Sequence, residues 1–139
     1  MSRCAEVGDR IGQRLSCHRS AALRGLTGRR AVDALQSLLE ELLPIDEERR
    51  VETIVLLEFI VAARTKPVFR PVTEQMAGDM RQVVTDALRG LAVLEPREQT
   101  ALLTAIIEGL SLDAVTPNGS LGVERLRRTL RAHIRSLLV

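Results

Sequence analysis

The sequence predicts an all-α fold of about six helices, and three observations carry that expectation. Leu, Ala, Arg and Glu, which favour helix, are abundant, while the aromatic residues that sandwiches and barrels rely on are reduced to Phe59 and Phe69, with no Trp and no Tyr. Apolar residues recur at spacings of three and four along most of the chain. The prolines at 44, 67, 71, 96 and 117 all fall at the ends of those stretches. With 139 residues, 45% of them hydrophobic, 27% charged and a net charge of +2, the chain has the length and composition of one globular domain around a true core.

Each element follows from local signals. The first helix, Ala5 to Leu23, is mixed in polarity and weakened by Gly8 and Gly12. Gly25 and Gly28 break the chain, and Thr27 is placed to cap a second helix, Gly28 to Leu43. There Leu35, Leu38, Leu39, Leu42 and Leu43 form one apolar stripe before Pro44 ends it. Asp46 caps the third helix, whose first turn holds Glu47 and Glu48 where the helix dipole favours them. From Val51 to Ala63 this helix is apolar on nearly every side, which predicts the central and most buried element; Thr65, Lys66 and Pro67 close it. The fourth starts near Val68 or Pro71, where proline is tolerated, and runs to about Val93 with one buried face, Val72, Met76, Met80, Val83, Val84, Ala87, Leu88 and Leu91. Pro96 opens the fifth, and the cluster Thr116 to Gly119 turns the chain into the sixth, Leu121 to Leu138. No stretch reads as a strand or a repeat.

Charge is distributed unevenly. Residues 1–30 hold seven Arg against two acids, residues 31–58 two Arg against eight acids, and residues 121–139 five Arg against one acid. Basic segments of this kind suit phosphate, but without a recognition pattern they read as solvated faces. The scarcity of aromatic rings excludes a stacking platform for single-stranded nucleic acid. The longest apolar run, Ile54 to Ala63, contains Glu58 and is too short to span a membrane, which takes about 20 residues. The charged start, Arg3, Glu6, Asp9 and Arg10, has no secretory core, so a cytoplasmic protein with reduced Cys4 and Cys17 is expected.

Catalytic chemistry is poorly supplied, and no enzyme is expected. The histidines are His18 and His133, and His133 shares the apolar stripe of Leu126, Leu130 and Leu137, the position of a packing residue. Phosphate-binding, nucleophile and metal-ligating spacings are missing, so no metal or cofactor is expected either. Glu58, in the middle of the most apolar helix, is the acid of interest: a carboxylate there is paired with an Arg of a neighbouring helix or faces a ligand. Phe59 beside it, with Phe69, Met76 and Met80 of the next stretch, either lines an apolar pocket around it, with Ala62, or belongs to plain core.

The order of segments adds a family resemblance. The stretches ALQSLLEELLPIDEERR from Ala34, VETIVLLEFIVAA from Val51, a helix ending VVTDALRGLA and, above all, ALLTAIIEGLSLDAV are followed by a polar turn and VERLRRTLRAHIRSLL. In that order, from about Ala31 to Leu138, they resemble the C-terminal, ligand-binding and dimerisation domain of TetR-family transcriptional regulators. The resemblance implies a four-helix bundle made by the last two helices of each of two subunits. Leu102, Ile106, Gly109, Leu110 and Asp113 of the fifth helix and Leu126, Leu130, His133, Ile134 and Leu137 of the sixth are then the expected interface. It also implies a pocket for a small apolar effector among the preceding helices. The family's DNA-binding helix-turn-helix head carries a Tyr-x-x-Phe-like segment followed by Lys. This sequence has no Tyr, its one Lys is Lys66, and about 30 residues precede the matching region, enough for a connecting helix only. The expectation is therefore a homodimeric regulatory domain of a repressor, 1–139, that reaches DNA only through a head absent from this chain. A helical protein-interaction domain with a solid core is the competing reading, and a small DNA-binding protein using its basic first helix is a third.

Overall fold

A computed structural model describes residues 3–18, 20–117 and 121–138. Among the described residues seven α-helices follow one another: α1 (Arg3–Ser16), α2 (Ser20–Leu23), α3 (Gly28–Glu40), α4 (Glu47–Ala63), α5 (Arg70–Gly90), α6 (Pro96–Val115) and α7 (Val123–Leu138). A 3-10 turn, Pro67–Phe69, precedes α5, and no strand occurs among the described residues. The fold is all-α, as expected, with the first expected helix divided into α1 and the single turn α2. The division follows from a tightened end to α1: Cys17 N–H bonds to Arg14 O and His18 N–H to Leu15 O, while Ser16 Oγ donates to Gln13 O at 2.7 Å.

Capping explains most of the remaining boundaries. Asp46 accepts from Arg49 N–H at 2.8 Å, so α4 begins where its acid caps it. Thr27 has the extended backbone of a cap, but its hydroxyl makes no capping bond. The α2–α3 link instead relies on Gly25 and Gly28, both at positive φ (76° and 58°), a conformation that an L side chain resists. The α5–α6 link places two non-glycine residues in that region, Ala92 (φ 57°) and Glu95 (φ 51°). It is held by bonds from Leu91 N–H to Ala87 O and from Val93 N–H to Leu88 O. Asn118 and Gly119 of the expected α6–α7 turn lie outside the described residues. The join is secured from α6 by Asp113, whose carboxylate accepts from Leu121 N–H at 3.2 Å.

The core gathers around α3 rather than α4. Leu35, Leu38 and Leu39 are fully buried, facing Leu126, Leu130 and Ile134 of α7, Val84, Ala87 and Leu88 of α5, and Leu103 and Ile107 of α6. Polar contacts fix the α3–α7 pair: Gln36 Nε2 donates to Arg127 O at 3.2 Å, and Arg131 pairs with Asp33 at 2.7 Å. A buried hydroxyl pair, Thr85 and Thr100 at 2.9 Å, joins α5 to α6. The expectation that α4 is the most buried element is corrected: Val51, Ile60 and Val61 are exposed, and its buried residues include Glu52 and Thr53. A helix apolar on every side can present one side to a cavity and another to the surface, and α4 does both.

Leu130→Ala removes a side chain with no exposure in the centre of the α3–α7 contact and is expected to cost about 2–5 kcal/mol in urea denaturation. Leu94→Ala, at a position 85% exposed, should stay within about 0.5 kcal/mol of the parent.

Candidate functional site

A cavity of about 430 Å³ lies among α1, α4, α5 and α6 and the α3–α4 corner. Thr53, Leu56, Leu57 and Ile60 of α4 face it at helical spacing, opposite Met76, Ala77 and Met80 of α5 and Ile107 and Ser111 of α6. Cys4 and Ile11 of α1 complete the wall. The Cys4 thiol lies 3.4 Å from Met76 Sδ, and burial pushes its pKa up. A second recess, about 720 Å³, is formed by α1 and α5 with His18 and shares Ile11, Met76 and Met80 with the first. Although larger, it is a groove between two helices, whereas the 430 Å³ space is walled by four, the arrangement that encloses a small molecule. Gly8 allows the close approach between α1 and α5, since a Cβ there would come within 3.1 Å of Met76 Cε.

One end of the cavity is ionic. Glu52, with a side chain only 3% exposed, receives Arg10 Nε at 3.2 Å and both terminal nitrogens of Arg14, Nη1 at 3.1 Å and Nη2 in a shorter contact. Arg14 Nε also sits 3.0 Å from Glu41 Oε2, at ion-pair distance but not aligned for a hydrogen bond. Glu41 further accepts from Arg49 Nη2 at 2.7 Å and lies 3.4 Å from His18 Nε2, while Arg49 also pairs with Asp46. Burial works to raise the pKa of the Glu41 carboxyl. The hydrogen bond and charge of Arg49, helped by His18, outweigh it and hold the group below its ordinary value of 4.5. The cluster joins α1 to α4 and to the end of α3.

Of the expected ligand residues, the structure brings Met76 and Met80 to the cavity. Glu58 is exposed on the outer side of α4, a correction with a geometric cause: Glu58 and Ala62 stand roughly 140° and 180° around the helix from Thr53. Phe59 and Phe69 pack edge to face on each other, centroids 5.2 Å apart and planes at 89°, and neither lines the cavity. The buried acid of α4 is Glu52, and its signal lay in the charge pattern, since the Arg-rich start of the chain pairs with the acid-rich segment after it.

The expected interface residues also divide. Leu126, Leu130 and Ile134 are buried in the core against α3 and present nothing to a second chain, a correction that follows from their 0–1% exposure within one protomer. Leu110, His133 and Leu137 are half-buried, Ile106 likewise, and Asp113 is engaged with Leu121. Leu102 (54% exposed) and Gly109 do lie on the surface of α6, in line with Ala105 and Leu112 (55%), and a Cβ added at Gly109 would meet nothing. No helix among the described residues is long and apolar enough to cross a membrane.

Glu52→Gln is expected to cost about 1–3 kcal/mol, and Glu52→Ala with Arg14→Ala to cost less than the two singly, in a double-mutant cycle read by urea denaturation. Additive costs would show that the pair does not couple the helices. Because the Glu41 pKa is depressed by folding, its stabilisation is complete above the ordinary glutamate pKa and is lost as the pH falls through the lower folded value. Stability measured from pH 6 down to about pH 3 should therefore drop, and Glu41→Gln should flatten that drop.

Known proteins share this arrangement. A family profile described as "BetI-type transcriptional repressor, C-terminal" matches residues 31–139. The crystal structure of a transcriptional regulator from Rhodococcus sp. Rha1 superposes with a TM-score of 0.81 at 30% sequence identity, covering 96% of this chain and 68% of that one. No curated protein matches the chain significantly. The helix order, the α3-centred core and these two matches agree that the chain belongs to the TetR family of transcriptional regulators, as a C-terminal domain of the BetI type.

Proposed function

We propose that this domain senses a small, largely apolar effector and, as a homodimer, passes the occupancy of its cavity to the first helix of a repressor. The observation that carries the reading is the cavity of about 430 Å³ whose wall includes Cys4 and Ile11 of α1 and whose ionic end holds Glu52, paired to Arg10 and Arg14 of α1. Binding that displaces Leu56, Leu57 or Ile60 moves α4, and α4 holds α1 through Glu52. A shift of α1 would alter the spacing of the DNA-binding heads that precede the equivalent helix in the family, and so operator affinity. In this reading α1 connects sensor to head, the domain itself contacts no DNA, and the protein works in the cytoplasm.

Dimerisation is supported by the outer face of α6, where Leu102, Ala105, Gly109 and Leu112 form a stripe at spacings of three and four with nothing of the same chain over Gly109. Next to it α7 exposes Thr129, Ala132 and Ser136, small residues that let helices approach closely across a two-fold axis. The apolar edge is thus Leu102 and Leu112, with Gly109 at the point of closest approach.

Light scattering at micromolar concentration should return twice the 15.4 kDa protomer mass, and Leu102→Arg combined with Gly109→Arg should return the protomer mass with unchanged helix content by circular dichroism. A clean protomer mass for the parent sinks the dimer. Effector sensing is tested separately by a thermal-shift screen of small apolar compounds, in which hits should raise Tm and lose their effect in the cavity-filling variant Ala77→Phe.

A further inference from the structure

Ser111 lines the cavity from α6 and is only 5% exposed, yet its Oγ has no hydrogen-bond partner. The other buried hydroxyls of that helix are engaged: Thr100 bonds to Thr85 and to Pro96 O, and Thr104 to Thr100 O. A buried hydroxyl left unpaired is unfavourable, and any partner that reaches it recovers that loss. A serine hydroxyl turns among three staggered positions, so Oγ can move from its screened place to meet a guest in the cavity.

At the charged end of the same cavity Arg14 Nε and Arg49 Nε are also buried without a hydrogen-bond partner, but each belongs to a guanidinium whose charge is already matched by carboxylates. Glu52 is matched by Arg10 and Arg14, Glu41 by Arg49, Arg14 and His18, and Arg49 by Glu41 and Asp46. An ionic guest would give up its hydration without finding an unpaired buried counter-charge there. Besides aliphatic side chains and the Met76 and Met80 thioethers, the wall carries Glu74, Arg81 and Glu108 at its solvent-exposed rim and the hydroxyls of Thr53 and Ser111, of which Ser111 Oγ is the one fully screened and unpartnered.

We infer that the cavity selects a neutral, largely apolar molecule bearing a single hydrogen-bonding group, and that Ser111 is the residue this group meets. The inference rests on the cavity being the effector site, as proposed above. Ser111 then determines specificity: it distinguishes an alcohol, phenol or ketone from the hydrocarbon of the same shape.

The absence of Trp and Tyr leaves naphthyl fluorescence free of protein background, so naphthalene, 2-naphthol, 2-naphthoate and a (2-naphthylmethyl)trimethylammonium salt serve as matched probes. They are titrated into the parent, Ser111→Ala and Ala77→Phe. In the parent, 2-naphthol should bind about five-fold or more tightly than naphthalene, and both ionic probes more weakly than 2-naphthol. Ser111→Ala should erase that preference, leave naphthalene within about two-fold, and leave Tm unchanged or raised, because an unsatisfied hydroxyl has been removed. A preference that survives in Ser111→Ala overturns the assignment, as does an ionic probe binding more tightly than 2-naphthol. So does a Tm loss of several degrees, which would mean that the hydroxyl has a structural partner. Naphthalene binding with no preference for 2-naphthol defeats this inference alone. No binding by any probe, or binding untouched by Ala77→Phe, defeats the cavity reading and this inference with it.

Discussion

A carboxylate buried as deeply as that of Glu52 must be matched by positive charge, and the arginines that match it stand on α1, so the position of the first helix is decided by electrostatics as much as by apolar contact. Take the pairs away and α1 retains Val7, Ile11 and Leu15 against its neighbours, with Gly8 packed on Met76. Much of the remaining arrangement hangs on this attachment, because α1 closes one wall of the cavity and α4 forms another. The same pairs neutralise the polar end of the cavity, and so the constraint that places a helix also sets which chemistry the interior tolerates.

The molecule therefore has a stiff part and a responsive part. The stiff part is the α3–α7 contact with α5 and α6 around it, where leucines with no exposure interlock and hydrogen bonds such as Gln36 to Arg127 O add direction. The responsive part is α1 with the cavity side of α4, where ion pairs, methionine side chains and an unfilled space replace close packing. The effector sensing proposed above would draw on both, a closely packed frame and an element whose position depends on what the interior holds.

Much of this was legible in the sequence, and the failures have physical causes. Helix positions followed from the leucine stripe of α3, the Asp46 cap and Pro96, because those signals are local. The family resemblance rested on segment order and survived the errors in side-chain placement. Periodicity cannot place Glu58, because α4 is apolar all round and its pattern does not say which side faces inward; Glu52, six residues earlier, lies on the inward side. The stripe of Leu126, Leu130 and Ile134 is equally compatible with an interface, because an apolar stripe does not reveal whether its cover is α3 of the same chain or a helix of another. Ser111 carried no signal, since a serine inside a helix looks alike whether its hydroxyl is bonded or not. The α1 arginines did carry one: charge of opposite sign in successive segments is what an intramolecular ion cluster leaves in a sequence.

Ile11, Met76 and Met80 each border two spaces, the cavity inside the helices and the groove between α1 and α5. The partition is a single layer of side chains, and two of the three are unbranched thioethers that change rotamer at little expense. If the cavity takes a guest as proposed, such a wall would act as an elastic membrane does, yielding toward the groove under a bulky molecule and returning when it leaves, without any helix unwinding. On that reading the volume open to a guest would be a range, and selectivity by size would be looser than selectivity by polarity.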